Sequence, residues 1–282
     1  MKGFININKA EGKSSAQAVA AVRKVFKVPC GHMGTLDPMA TGVLPIGLGK
    51  TTRLFQYLLD KAKTYRAKFL FGKTTDTLDT TGKVLETTSY LPSEKDICAN
   101  LHKFIGAIDQ VPPNYSAKCV GGKRGYQLAR RGVDFSLPPK KVEILRFSLI
   151  GAVSEREYEF EIECKGGTYI RSLARDLGSI CGSLAVMSGL CRTKSGKFSI
   201  DNSVGVEELI NSDDPEKYII PADFAVDYEK LTLEEKQAQK ILDGVYEDYG
   251  FTDGIYRVYN GEEFWGIGKA KEGRLKIEAY VR

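Results

Sequence analysis

The 282-residue chain has a formal net charge of +5 and is 42% hydrophobic, values typical of a globular protein with room for one large domain and a small one. No apolar run reaches membrane-spanning length, and the N-terminus lacks the charged-then-apolar pattern of a signal peptide, so a cytoplasmic protein is expected. The six cysteines form no C-x-x-C pair and there are two histidines, so no metal site is expected.

The charge is unevenly distributed along the chain. Residues 207–235 contain ten acidic and two basic residues, whereas the 206 residues before them are strongly basic. A basic body favours a polyanion partner, because neutralising phosphates drives nucleic-acid binding. A solvated lysine-rich surface is the alternative, and charge alone does not separate the two.

Apolar spacing predicts the first elements. Phe4–Ile7 has the pattern of a strand, and Ala16–Phe26 that of a helix whose first turn Ser14 or Ser15 can cap. A further helix is predicted at Lys50–Leu59.

A glycine-rich loop with one carboxylate lies between these helices, at residues 31–42. Asp37 is stiffened by Pro38, and the short buried strand predicted at Val43–Leu48 anchors the loop. An Asp-Pro pair also occurs in ordinary turns, which is the alternative. A phosphate-binding P-loop is disfavoured, because that motif requires glycine where this chain has Leu44.

Residues 63–72 alternate as a strand does. Tyr65 lies on its apolar face, with Arg66 and Lys68 on the other, so Tyr65 alone would be interpreted as a core residue. A helix with a serine cap is predicted at Ser93–Phe104.

A basic segment follows, with seven basic residues and one acid between Asn114 and Lys141. Gly121–Tyr126 is predicted to be flexible and Gln127–Arg131 to form a short helix. The segment is either an exposed basic loop or an RNA-binding insertion, and the interleaved tyrosines favour RNA.

The rest of the chain is predicted to contain paired strands at 142–153 and 158–164, and then a helix that places Arg171 near its start. A helix is predicted at 233–242, and short strands within 256–280, with turns at two glycines. We predict a main domain at residues 1–235, with the basic insertion at about 113–141, and a small C-terminal β domain at 236–282.

Several of these segments together resemble the TruB-type tRNA pseudouridine synthases. Six motifs of the family occur in this chain in the family's order, and the resemblance covers most of residues 3–200. They are G-H-x-G-x-L-D-P-x-A-T-G-x-L-P, K-x-Y, T-D-T-x-D-x-x-G, P-P-x-Y-S-A, G-T-Y-I-R-x-L-x-x-D-L-G and L-x-R-T-x-S-G-x-F. The resemblance implies an α+β pseudouridine synthase fold: a mixed, mostly antiparallel sheet flanked by helices and loops. Residues 264–269 resemble, more weakly, a small PUA domain, an RNA-binding pseudobarrel.

The resemblance also implies catalytic roles for three residues. Asp37 matches the family's essential aspartate. Tyr65 matches the tyrosine that stacks on the target base, a task that suits a flat ring. Arg171 matches the arginine that pairs with the aspartate and keeps it ionised and correctly aimed.

Further residues are expected to bind the substrate. His32 would fix the opened T-loop of the tRNA, with a structural role as the alternative. Arg53 would meet the RNA backbone or be a plain surface arginine, and Leu190 would form an apolar wall of the pocket or belong to the core. The family's insertion grips tRNA, which would involve Lys123 and Arg124; Tyr169 is assigned to substrate binding by its motif. Two positions depart from the family pattern: Cys119, where lysine is usual, and Gly125, where a larger residue is usual.

The implied reaction is isomerisation of uridine to pseudouridine in the T-loop of tRNA, conventionally at position 55, by a monomer that needs no cofactor. The N1–C1′ bond breaks and a C5–C1′ bond forms without redox change. The sequence leaves open whether Asp37 attacks C1′, attacks C6 or removes the C2′ proton. A non-catalytic tRNA-binding or tRNA-folding module using the same pocket is the alternative function.

Overall fold

The computed structural model describes residues 1–116, 119, 120, 123, 124, 133, 135, 137–245 and 248–282. The chain divides into two compact units, which we describe separately: residues 1–59 with 195–282, and residues 60–194. No helix in the described ranges is both long enough and apolar enough to span a lipid bilayer.

Strands make up most of the regular structure. They are β1 (Gly3–Lys9), β2 (Cys30–His32), β3 (Thr41–Leu48), β4 (Lys63–Phe71), β5 (Lys73–Thr75), β6 (Val84–Thr87), β7 (Gly106–Gln110), β8 (Cys119–Val120), β9 (Lys123–Arg124), β10 (Lys140–Ala152), β11 (Glu157–Cys164), β12 (Ala185–Ser195), β13 (Phe198–Ser199), β14 (Val204–Gly205), β15 (Glu229–Leu233), β16 (Gly254–Asn260), β17 (Glu263–Lys271) and β18 (Arg274–Tyr280).

Helices are fewer and mostly short. The α-helices are α1 (Ser15–Phe26), α2 (Glu94–Leu101), α3 (Ile170–Ile180), α4 (Val206–Ile210) and α5 (Glu235–Leu242). The 3-10 helices are Gly49–Tyr57, His102–Phe104, Ile200–Asn202, Pro215–Tyr218 and Ala222–Ala225. The predicted mixture of helices and mostly antiparallel strands is confirmed.

In the first unit, β1 pairs antiparallel with β3 and parallel with β14, and the short β2 pairs with β3. Helix α1 begins as predicted, because the Ser14 side chain accepts from the Gln17 amide and the Gln17 side chain returns to the Ser14 amide, forming a capping box. Its buried face carries Val19, Val22 and Phe26. The helix predicted at Lys50–Leu59 is instead a 3-10 helix, Gly49–Tyr57.

A four-stranded sheet, ordered β15-β16-β17-β18, forms the C-terminal part of the same unit. Its residues Tyr259, Ile267 and Ala279 belong to one buried core with Phe4 and Leu54. The sheet begins with β15 at Glu229, a strand that was not predicted from the sequence. The domain boundary predicted after residue 235 therefore separates β15 from the strands with which it forms a sheet.

In the second unit the strand order is β12-β4-β11-β10-β7. β10 and β11 form the predicted antiparallel pair, and β11 pairs with β4 through Tyr65 opposite Ile162. Aromatic rings of Phe69, Phe147 and Phe160 pack edge-to-face or tilted in the core. Helix α3 lies against β4 of this sheet.

Candidate active site

The Asp37 loop in the first unit is held by hydrogen bonds to the start of α1. The Ser15 hydroxyl accepts from the Leu36 amide at 2.9 Å and donates to the Leu36 carbonyl at 3.0 Å. The Gly12 amide donates to the Pro38 carbonyl at 2.8 Å. Backbone on both sides of Asp37 is therefore fixed, as expected for a residue that must present a carboxylate in one orientation.

A buried lysine completes this support. Lys9, 1% exposed, donates from Nζ to the carbonyls of Ala10 at 2.9 Å, Lys13 at 2.6 Å and Pro38 at 3.2 Å. Burial lowers the pKa of Lys9, and the nearby carboxylates of Asp37 and Glu11 oppose that shift. The side chain thus ties the loop to the end of β1 and places a positive charge near the half-buried Asp37.

Sequence reasoning missed Lys9. Its signal is the strand pattern itself, because Ile5 and Ile7 face inward and Lys9 continues that face two residues on. A lysine on the buried face of a strand requires partners, and these are the carbonyls of the nearby Ala10 and Lys13 and of the distant Pro38.

His32 lies on β2 just before the loop, opposite Ile46 of β3, and is half-buried. Arg53 is exposed on the 3-10 helix and donates from Nη1 to the Tyr280 carbonyl at 3.0 Å. Arg53 therefore contacts the C-terminal sheet, and its contact with RNA stays a prediction.

In the second unit, Arg171 occupies the first turn of α3 as predicted and is 6% exposed. It donates from Nη1 to the Thr77 carbonyl at 2.8 Å and from Nη2 to the Tyr115 carbonyl at 3.0 Å. Its Nη1 also lies 3.6 Å from the Asp79 carboxylate. The guanidinium is thereby oriented from several sides, which uses the fork geometry that distinguishes arginine from lysine.

Asp79 is a partner of Arg171 that the sequence analysis did not assign, although it belongs to the T-D-T-x-D motif. It is 5% exposed and accepts from the Thr77 hydroxyl at 2.8 Å, the Thr81 amide at 3.0 Å and the Thr81 hydroxyl at 2.5 Å. These three bonds hold the carboxylate in place beside the buried guanidinium of Arg171. The pairing of Arg171 with Asp37 stays a prediction.

The other predicted residues of this unit lie on its central strands and at the start of α3. Tyr65 is 7% exposed within β4, and Leu190 is half-buried in the middle of β12. Tyr169 immediately precedes α3, and the Gln110 side chain bonds its backbone. The strand placement of Tyr65 agrees with the alternation that predicted it.

The backbone of Lys123 and Arg124 forms β9, which pairs with β8. Their side chains lie outside the described part of the chain, as do Gly125 and the helix predicted at Gln127–Arg131; only the backbone of Cys119 is described. Within the described residues, no group of three or more His, Cys, Asp or Glu is arranged to hold a metal ion.

Comparison with known families now identifies the class of protein. Residues 22–170 match the family model described as TruB family pseudouridylate synthase, N-terminal domain. The chain belongs to the TruB family. It is thus a pseudouridine synthase, an isomerase, and the predicted class is confirmed.

Relatives with similarity over the full chain carry one name. Proteins called tRNA pseudouridine synthase B from Clostridium kluyveri and Aquifex aeolicus are 40% and 38% identical to this TruB-family chain, and each alignment covers 98% of both proteins. The corresponding protein of Clostridium tetani is 40% identical, with 100% of both chains covered.

Solved structures share the fold. A chain of a Cbf5-Nop10-Gar1 complex has a TM-score of 0.75 and 25% identity, and the match covers 99% of this chain and 85% of that one. A chain of an H/ACA RNP bound to a substrate RNA containing 2′-deoxyuridine has a TM-score of 0.74 and 23% identity, with the same coverage. The predicted pseudouridine synthase fold is confirmed.

Proposed function

We propose that this TruB-family protein isomerises the T-loop uridine of tRNA to pseudouridine. The observation that carries the proposal is the 40% identity with tRNA pseudouridine synthase B over 98% of both chains. Identity spread over both compact units favours a shared substrate as well as a shared fold.

Asp37 is the proposed catalytic carboxylate. The bonds from Ser15 and Gly12 hold its neighbours, so the carboxylate can act without first ordering its loop. Carboxylates serve as nucleophiles in other enzymes, and attack at C1′ or C6 and removal of the C2′ proton each need a single one.

Arg171 and Tyr65 complete the proposed catalytic set. Their roles follow from the family motifs that they occupy. The contacts of Arg171 with Thr77, Asp79 and Tyr115 support a guanidinium held in one orientation. Tyr65 would stack on the target base. His32, Leu190 and Tyr169 would lie around the bound nucleotide.

A uridine within a folded T-loop must leave its stack before a carboxylate reaches it, so base flipping belongs to the proposal. Arg53, Lys123 and Arg124 would hold backbone phosphates. The C-terminal sheet would act as a PUA-like RNA-binding domain. We propose that the protein works in the cytoplasm as a monomer, without a metal or cofactor.

The test is to incubate unmodified T-loop tRNA with the protein and map pseudouridine at nucleotide resolution. We expect product at the T-loop uridine with the wild type and none with Asp37→Asn, which removes the charge but little volume. Asp213→Asn, in an exposed loop, is the matched control and should retain full activity.

Binding of tRNA should survive in Asp37→Asn, because the change leaves the rest of the RNA surface intact. Near-normal product with this variant would refute the role of Asp37. Tight tRNA binding by a wild type that makes no pseudouridine would instead support the tRNA-binding module.

A further inference from the structure

The side chain of Gln110, at the end of β7, makes two hydrogen bonds to one residue. Its Nε2 donates to the Tyr169 carbonyl at 3.1 Å, and its Oε1 accepts from the Tyr169 amide at 2.8 Å. Gln110 is 1% exposed, so both bonds are shielded from water. The amide therefore clamps the residue that precedes α3, two positions before Arg171.

The residues after Gln110 extend the same attachment. The Val111 carbonyl accepts from the Ser172 hydroxyl at 2.8 Å and from Arg175 Nη2 at 3.1 Å. The Tyr115 carbonyl accepts from Arg171 Nη2 at 3.0 Å. Backbone at 110–115 and the first turns of α3 are thus joined through both side-chain and main-chain groups.

A helix start needs this kind of attachment, because its first amide groups have no partner inside the helix. Tyr169 is the N-cap residue of α3, and within the described part of the chain its side chain makes no capping hydrogen bond to the helix. Gln110 instead satisfies the amide of the N-cap residue from a distant strand, a bond that the N3 side chain of a capping box makes locally, and so it holds the backbone from which Arg171 extends two residues on.

We propose that Gln110 is a positioning residue for Arg171 in pseudouridine formation. The inference rests on the proposed function and goes beyond it by naming a residue that touches neither RNA nor the reacting atoms. A packing role alone would be filled by an apolar residue, whereas a buried amide is tolerated only with its donor and acceptor both satisfied. The geometry supplies both through Tyr169.

The experiment compares Gln110→Leu with Ser183→Ala in the full-length protein. Leucine retains most of the volume and removes both bonds. Ser183, just beyond the other end of α3, is also buried and donates to the Tyr90 carbonyl at 2.7 Å, so its alanine variant controls for loss of a buried hydrogen bond in the same unit.

The readouts are the single-turnover rate constant with saturating tRNA, the tRNA dissociation constant and the thermal midpoint. We expect Gln110→Leu to lower the rate at least ~10-fold, because misplacing a catalytic group by about 1 Å can cost ~100-fold. Binding of tRNA should weaken less than the rate falls, because Gln110 itself is buried and Tyr169 is one of several proposed substrate-binding residues. Ser183→Ala should lower the thermal midpoint but leave the rate within about twofold, since its bond lies away from the start of α3.

Combining the change with Arg171→Lys gives a second readout. If Gln110 acts through the guanidinium, Gln110→Leu should cost little further rate in the Arg171→Lys background, because sites that act as one unit are non-additive. If the rate losses of Gln110→Leu and Arg171→Lys are additive, or if Gln110→Leu alone is as fast as Ser183→Ala, the positioning role is overturned and the proposed function is left intact. A wild type that forms no pseudouridine would overturn both.

Discussion

The surroundings of Arg171 show how the charge of a buried residue is compensated in this protein. A buried guanidinium is tolerated only when paired and hydrogen-bonded. Here Asp79 supplies the carboxylate, and the Thr77 and Tyr115 carbonyls accept further N–H groups. Asp79 in turn accepts hydrogen bonds from Thr77 and Thr81, which fix its carboxylate beside Arg171.

We expect Asp79→Asn to reduce pseudouridine formation by about 10- to 100-fold, because Arg171 would lose a buried countercharge and shift from its position. The unfolding free energy should fall by about 3 kcal/mol, the lower end of the cost of breaking one side of a buried pair. Single-turnover rates and urea unfolding measure the two effects.

Asp109→Asn is the matched control for that variant. Asp109 lies in the same unit and faces Lys141 across 3.7 Å, but both side chains are well exposed, so little change in stability or rate is expected. Equal rates for the two variants would show that Asp79 does not support Arg171.

At this scale the sequence was informative about roles and silent about partners. The motifs placed Asp37 in a rigid loop and Arg171 at a helix start, both local properties of a few neighbouring residues. Asp79 and Gln110 were missed because each acts on a partner far along the chain, Arg171 and Tyr169, and such a pairing leaves no local periodicity to detect. Lys9 has a local signal, its place on the buried face of β1, but its bond to the Pro38 carbonyl depends on the fold.

At the scale of elements, two tyrosines fasten the C-terminal sheet to the rest of the first unit. The Tyr57 hydroxyl, on the 3-10 helix, donates to Glu278 of β18 at 3.2 Å, and the Tyr259 hydroxyl of β16 donates to Asp223 at 2.7 Å. Burial, followed by these bonds to carboxylates, raises the pKa of each tyrosine to about 12.

These shifts predict a loss of stability at alkaline pH. A tyrosine has a pKa near 10 when unfolded, so between about pH 10 and 12 the folded protein holds protons that the unfolded chain releases. The stabilisation is complete below about pH 10 and declines as pH rises through about 12. Urea unfolding at about pH 9 and about pH 11 follows it.

The double variant Tyr57→Phe with Tyr259→Phe isolates the contribution. We expect it to be less stable than wild type by about 1–3 kcal/mol at about pH 9, the scale of hydrogen bonds to charged groups. The difference in unfolding free energy between the two proteins should be smaller at about pH 11, because the wild type has by then lost part of the stabilisation from these hydroxyl groups. Lysines and other tyrosines titrate in both proteins alike and do not contribute to the change. A gap of constant size would mean that these hydroxyl groups do not carry the pH dependence.

Elements with strong periodicity were predicted closely, and those decided by context were not. Helix α1 and the β10–β11 pair follow from apolar spacing, and the capping box of α1 needs only Ser14 and Gln17. The segment 49–57 carries helical spacing but forms a 3-10 helix between β3 and the C-terminal sheet. β15 pairs parallel with β16, a long-range contact that its mixed sequence does not announce.

At the scale of the whole molecule, the chain completes its first compact unit only by returning to it. Residues 1–59 are joined by 195–282, and the intervening residues form a unit of their own. Nothing in the local pattern of residues 195–282 indicates a return to the first unit, so the sequence predicts a main domain followed by a small one. The shared core of Phe4, Leu54 and Ile267 could be known only from the folded chain.

The distribution of charge gives the last prediction. If the basic insertion grips tRNA through phosphates, Lys123→Gln with Arg124→Gln should weaken binding and reduce the slope of log K against log salt by about 2, one for each phosphate that is no longer neutralised. The rate at saturating tRNA should be unchanged, because these residues have no proposed part in the chemistry. Filter binding at several salt concentrations measures the slope.

The control for this pair is Lys24→Gln with Lys27→Gln, which removes the same charge from exposed positions at the end of α1. General electrostatic attraction depends on net charge and would be lowered equally by both double variants. Specific phosphate contacts would lower the slope only for the insertion. Equal slopes of log K against log salt for the two double variants would therefore assign tRNA affinity to the net charge of the protein. They would exclude Lys123 and Arg124 as phosphate ligands.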